Sequence, residues 1–138
     1  MKREFSAGGI VINSQCQVLL TKHSQNHIWG FPKGLIDPGQ TGKEAAVREV
    51  KEEGGVEAEI LEKVGESKYI YTFNNIKIFK IVSYFLMKYS SGSPKDHDWE
   101  MEDAGWFETE EALKTLSFSK DKELLKKALE MVKYLKQV

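Results

Sequence analysis

Arg48, Glu49, Glu52 and Glu53 put three carboxylates and one guanidinium within six residues, with Gly34 and Gln40 ahead of them at fixed spacing. Side chains three and four apart share one face of a helix. A helix here would therefore present the oxygens of Glu49, Glu52 and Glu53 together. Such oxygens are hard donors that suit Mg²⁺, Mn²⁺ or Ca²⁺ better than zinc. A cation held by them could neutralise a polyphosphate and lower the pKa of a bound water. Without a cation, each like-charged pair at helical spacing costs roughly 0.2–0.5 kcal/mol. Arg48, four residues before Glu52, offsets only part of that. Taken alone, Glu-x-x-Glu-Glu is an ordinary solvated acidic face, so the surroundings decide.

The element that must hold these groups is legible on both sides. Thr41 followed by Glu44 at the third position reads as a capping box, and Pro38-Gly39 breaks any earlier regular structure. Gly54-Gly55 stops the helix. Ala45 and Ala46 fall on the glutamate face and are expected to leave space above it, whereas Val47 and Val50 are the expected core contacts. Elsewhere, residues 4–12 and 17–22 are apolar runs around an Asn13-Ser14-Gln15 turn, which predicts a hairpin. Val56, Ala58 and Ile60 alternate with Glu57 and Glu59 as a half-buried strand. Tyr69, Tyr71 and Phe73 alternate in a second run, and after Asn74-Asn75 a long strand returns from Ile76 to Tyr89. Residues 90–98 read as a polar loop. Leu124, Leu125, Ala128, Leu129, Val132 and Leu135 recur at helical spacing, giving an amphipathic helix that covers the sheet.

The full string is Gly34, five residues, Gln40, seven residues, then Arg48-Glu49-Val50-Lys51-Glu52-Glu53-Gly54-Gly55-Val56. It resembles the signature of the Nudix hydrolases at every fixed position except Gln40, where the family has glutamate. The resemblance extends to Ala7-Gly8-Gly9-Ile10-Val11-Ile12, to Trp29-Gly30-Phe31-Pro32-Lys33-Gly34, and to Asp103-Ala104-Gly105-Trp106-Phe107 followed by Glu110-Glu111-Ala112-Leu113. It implies an α/β fold, a Nudix-type α/β/α sandwich with a mixed β-sheet between helices, in one domain over residues 1–138. It also implies hydrolysis of a nucleoside diphosphate linked to another group, by a water activated by Mg²⁺, for which Mn²⁺ can substitute. Glu49, Glu52, Glu53 and Arg48 match the catalytic positions. Gly34, Glu49, Glu52 and Glu53 match the metal site, with Glu100 preferred to Glu102 as a further ligand. Gln40 keeps the size of glutamate and can accept a hydrogen bond from Arg48, but it lacks the charge. Activity should persist if that position is structural, and fall if it is a ligand.

Length and composition agree with a small enzyme. A chain of 138 residues has room for one core. Lys plus Arg (20) and Asp plus Glu (21) nearly cancel, so bulk charge makes no nucleic-acid or anionic-membrane surface. No run approaches the roughly 20 apolar residues of a membrane span. Met1 to Ser6 has no apolar stretch, which argues against a signal peptide. The single Cys16 excludes an internal disulfide, fits a reducing cytoplasm and reads as a small buried hydrophobe. A cytoplasmic monomer or weak homodimer is expected.

For substrate, the Trp29 to Gly34 run most resembles the branch that cleaves diadenosine tetraphosphate asymmetrically to ATP and AMP. Lys33 and Lys80 are the expected phosphate contacts, with Lys68 and Lys77 on the same hairpin. Tyr69 and Tyr71 are expected to stack a base, ahead of Phe73. None of His23, His27 and His97 is assigned catalysis. The alternatives are a pyrophosphohydrolase acting on RNA 5′ ends, nucleoside triphosphates or diphosphoinositol polyphosphates, and, from another class, a non-catalytic nucleotide sensor.

Overall fold

Continuous apolar runs give the central strands two buried faces, and helical layers cover them. The computed structural model describes residues 1–135. Its strands are β1 (Lys2–Ile12), β2 (Gln17–His23), β3 (Trp29–Gly30), β4 (Lys33–Leu35), β5 (Val56–Phe73), β6 (Ile76–Gly92) and β7 (Met101–Glu108). Its helices are α1 (Gly42–Gly54), α2 (Thr109–Thr115) and α3 (Ser119–Leu135). Ala7, Val11, Leu19, Phe85 and Met87 pack on one side of the sheet against Ala45, Ala46 and Val50 of α1. Ile10, Ile12, Val18, Leu20, Val82, Tyr84 and Leu86 point to the other side, against Ala112, Leu116, Leu124, Leu125 and Ala128 of α2 and α3. The result is the expected mixed sheet between helices.

The sheet order is β3-β2-β1-β6-β5, with β4 paired to β1 and β7 paired to β2. β1 runs parallel to β6 over its whole length, from Lys2↔Ile78 to Ile12↔Lys88, and the other pairs are antiparallel. The expected hairpin of β1 and β2 is joined at a single pair, Ile12↔Val18. Beyond it the two strands part, and the segment carrying β3 and β4 enters between them. There Phe31 and Pro32 are buried and Gly9 N–H donates to the Pro32 carbonyl at 3.1 Å. This parting opens the sheet at one end and sets Lys33 and Gly34 facing α1.

Several sequence-based expectations are corrected. The runs around Val56 and Tyr69 form one 18-residue strand. Register shifts between Glu57/Ala58, Ile60/Glu62 and Lys63/Gly65 carry it through its charged middle. β6 continues to Gly92, and a 3₁₀ turn at Pro94–Asp96 occupies the rest of the polar loop. Ala45 and Ala46 are fully buried core contacts and leave no space above the glutamates, while Val47 is only half-buried. Cys16 is exposed, in the left-handed region of the β1–β2 turn. Among the described residues no helix is long and apolar enough to cross a membrane.

Candidate active site

The helix that carries the carboxylates is fixed at both ends. Thr41 Oγ1 accepts from the Glu44 N–H at 3.1 Å and Glu44 Oε1 accepts from the Thr41 N–H at 2.9 Å, which closes the capping box. At the far end Gly55 has φ +74° and its N–H donates to the Lys51 carbonyl, a left-handed stop that any side chain would strain. α1 leaves Glu49 8% exposed, Glu53 half-buried and Glu52 exposed.

Arg48 is the hub of the site. Its Nη1 donates to Glu49 Oε1 at 2.7 Å and to Glu52 Oε2 at 3.2 Å. Its Nη2 donates to the Leu35 carbonyl at 2.9 Å and to Gln40 Oε1 at 3.2 Å, and lies 3.4 Å from Asp37 Oδ2. One planar guanidinium thus ties the helix to the loop before it, a task a lysine ammonium cannot copy. Gln40 Oε1 also accepts from the Asp37 N–H at 3.2 Å, so the glutamine holds Arg48 and the loop together without a charge. Gly34 faces Glu49 so closely that a Cβ there would overlap the Glu49 carboxylate.

Burial and like charge set the protonation of the two inner carboxyls. Glu53 is pushed up to about 8, first by burial and then by the charges of Glu49 and Asp98. The Lys33 N–H, donating to its Oε1 at 3.1 Å, and the Lys33 charge pull the other way. Burial also raises Glu49 against its bond to Arg48, and the Glu52 and Glu100 charges add to the rise. Arg48 and the Lys33 backbone draw the carboxylates apart, and among the described residues no three acidic, histidine or cysteine side chains converge as a closed ligand set. The donor chemistry nonetheless fits a divalent cation: hard oxygens, partly dehydrated, mutually repelling, with too little positive charge nearby to satisfy them.

Gly34, Glu49, Glu52 and Glu53 help line a cleft of about 1370 Å³, which also takes in Glu100, Lys33, Lys80 and Tyr69. Glu102 lies apart, its carboxylate paired with Lys22 at 3.2 Å and with His27 Nδ1. Lys68 lines the cleft; Lys77, Tyr71 and Phe73 do not. Tyr71 turns its hydroxyl to Glu4 Oε1, a bond that pushes the phenol up to about 12, and its ring sits 6.2 Å behind that of Tyr69. Lys80 is lowered by burial and by the charge of Lys33. His23 lines the cleft with its Nδ1 accepting from the Gln25 N–H, and His97 Nδ1 bonds the Asp98 carbonyl.

Sequence reasoning passed over Asp121, Tyr84 and Phe118, all of which line the cleft. Asp121 is 8% exposed and is raised by burial against the pull of Lys33. Its signal was present: it stands three and four residues before Leu124 and Leu125, an acid on the apolar stripe of an amphipathic helix.

The model of the NUDIX domain family matches residues 2–128 of this chain. MutT4 of Mycobacterium tuberculosis is 29% identical over 138 residues, covering 94% of this chain but 56% of its own length. The chain thus spans about half the length of that relative. The asymmetrical bis(5′-nucleosyl)-tetraphosphatase of Caenorhabditis elegans is 32% identical over 111 residues, with 80% of each chain covered. In three dimensions, an Ap4A hydrolase of C. elegans solved as a binary complex superposes with a TM-score of 0.78 at 26% identity, covering 95% of this chain and 98% of that one.

Proposed function

This chain belongs to the Nudix family, and from that premise we propose that it hydrolyses diadenosine tetraphosphate to ATP and AMP. Attack of water on phosphorus forms one P–O bond as the bond to the bridging oxygen breaks. The observation that carries this reading is the cleft. It joins the carboxylate end, Glu49, Glu52, Glu53 and Glu100, to a wall bearing Lys33, Lys80 and the exposed ring of Tyr69. Its volume exceeds the roughly 300–1,000 Å³ of an ordinary small-molecule pocket, which suits an elongated ligand with an anionic middle. Homology to the C. elegans tetraphosphatase over four-fifths of both chains supports the same substrate.

Glu49, Glu52, Glu53, Glu100 and the Gly34 carbonyl would hold Mg²⁺ or Mn²⁺, which supplies charge neutralisation and an acidified water. The residues do the rest. Arg48 orients Glu49 and Glu52, and Glu53 takes the proton of the attacking water. Lys33 and Lys80 hold the phosphates as point charges. Tyr69 stacks a base with Tyr71 behind it.

The test is product identification after incubation with Mg²⁺ and diadenosine tetraphosphate, nucleoside triphosphates, or a 5′-triphosphorylated RNA. ATP and AMP are expected from the dinucleotide, and chelation of the metal should abolish them. Two ADP molecules would overturn the asymmetric cleavage. Preference for a triphosphate or RNA would move the substrate, and binding without any turnover would make the chain a sensor. A second expectation follows from Gly34. In Gly34→Ala the new methyl must displace the Glu49 carboxylate, and a misplacement of that order lowers kcat by roughly 10²-fold. Steady-state kinetics beside a thermal melt would check this, with the melt changed little.

A further inference from the structure

Trp99 is 86% exposed, more than any other large apolar side chain among the described residues. The chain buries its other tryptophans in part, each in an edge-to-face pair: Trp29 with Phe107 at 5.0 Å and Trp106 with Tyr89 at 5.1 Å. Single exposed apolar residues are common, but Trp99 differs in how its backbone is held. The Asp98 N–H donates to the Glu52 carbonyl at 2.7 Å, which ties the segment to the end of α1. The Met101 N–H donates to the Asp98 carbonyl at 3.3 Å, which makes Trp99 and Glu100 the two central residues of one turn. The Ser24 N–H and Oγ both donate to the Glu100 carbonyl, at 3.1 and 2.8 Å. The indole is thus presented to solvent from a fixed platform.

Its place in the fold gives the platform a use. Tyr69 lies on β5, the strand at one margin of the sheet, while Glu100 leads into β7, which pairs β2 toward the other margin. Tyr69 and Glu100 line the same cleft, with Glu49, Glu52 and Glu53. The cleft therefore has an exposed aromatic, Tyr69, in its lining, and the exposed Trp99 directly precedes Glu100, which the sheet order sets on the other side of β1 from Tyr69. A ligand with one planar base at each end and phosphates between them would set one base at Tyr69 and its phosphates at the carboxylates, leaving the second base for the turn that carries Trp99.

We infer that Trp99 is the stacking platform for the second nucleobase of a dinucleoside polyphosphate, the one away from Tyr69. The inference rests on the proposed substrate. Exposed base–aromatic stacks tolerate any base, so Trp99 confers a demand for a second base and not for adenine in particular.

Trp99→Ala should raise KM for diadenosine tetraphosphate roughly tenfold, the size of one base–aromatic stack, with kcat within about twofold. Trp99→Phe should recover most of the loss, and thermal melts of both should match the parent. An unchanged KM, or a fall in kcat with no change in KM, would overturn the inference. Tryptophan emission supplies a second readout, taken as the difference between the parent and Trp99→Phe. A non-hydrolysable diadenosine tetraphosphate with methylene bridges should quench that difference, and methylene-bridged ATP, with one base, should leave it. Equal quenching by both, or by neither, would also overturn it. If the parent does not cleave the dinucleotide, the proposed function fails, and quenching by the dinucleotide analogue alone still decides Trp99.

Discussion

Glu53→Gln is expected to lower kcat by roughly 10²–10⁴-fold, the range for loss of a positioned general base, and at the same time to stabilise the metal-free protein. Both effects come from one fact: Glu53 is half-buried beside Glu49 and Asp98 and is held at about 8, against an ordinary 4.5. Gln keeps an oxygen for the Lys33 N–H, now 3.1 Å from Glu53 Oε1, so the fold should persist. Below pH 4.5 the carboxyl is protonated in the folded and unfolded chains alike and contributes no difference. Between pH 4.5 and about 8 the unfolded chain releases the proton while the folded chain keeps it, so stability falls as pH rises through that window. Above it the loss is constant, on the order of a few kcal/mol. The melting temperature of metal-free Glu53→Gln should exceed that of the parent by at least about 5 °C at pH 8, with the gap closing near pH 4.5. A variant that is inactive but no more stable would remove burial as the cause. Near-native turnover would remove Glu53 from the reaction.

Arg48→Ala should show the contrasting pattern, with stability and activity falling together. The guanidinium contacts Glu49, Glu52, Gln40 and the Leu35 carbonyl and approaches Asp37. Removing it leaves the nearly buried Glu49 carboxylate without its cation, a loss that costs about 3–5 kcal/mol when a pair is fully buried. Arg48 keeps 28% of its side chain exposed, so about 2 kcal/mol is the expected cost here. Because the carboxylates also lose their orientation, the Mg²⁺ concentration for half-maximal activity should rise 10- to 100-fold, roughly the cost of losing an outer-shell partner. Arg48→Lys should recover little of either, since an ammonium cannot make the bonds to Glu49 and to the Leu35 carbonyl in the same plane. Denaturant unfolding and a Mg²⁺ titration of the rate separate the two losses. An Arg48→Lys variant with parental metal dependence would contradict the hub role.

What could be read without coordinates was local. The capping box at Thr41 and Glu44 and the Gly55 stop each depend on residues within a few positions, and both form. The hydrogen bond from Arg48 to Gln40 is likewise legible, because glutamine keeps the size and the acceptor oxygen of glutamate and stands just before the N-cap of the helix that carries Arg48. What was misread depended on contacts from afar. Ala45 and Ala46 share a face with the glutamates by helical spacing, yet the sheet packs against that side and takes them into the core. Tyr69 and Tyr71 look equivalent at period two, but Glu4 on β1, two strands over, captures one of them. Asp121 and its neighbour Phe118 are distant in sequence from the other cleft residues named, and only α3 folding over the sheet carries them there.

The sequence by itself determined the donor set, the helix that displays it and the family, because spacing, capping and glycine stops act over single turns of chain. Tertiary structure alone decided that β1 parts from β2 to open a cleft, that Glu49 is buried and Glu53 half-buried while Glu52 is exposed, and that Tyr69 and Glu100 line the same cleft. Those outcomes follow from burying two faces of one mixed sheet under helices far apart in sequence, and burial, unlike spacing, is a property of the whole fold.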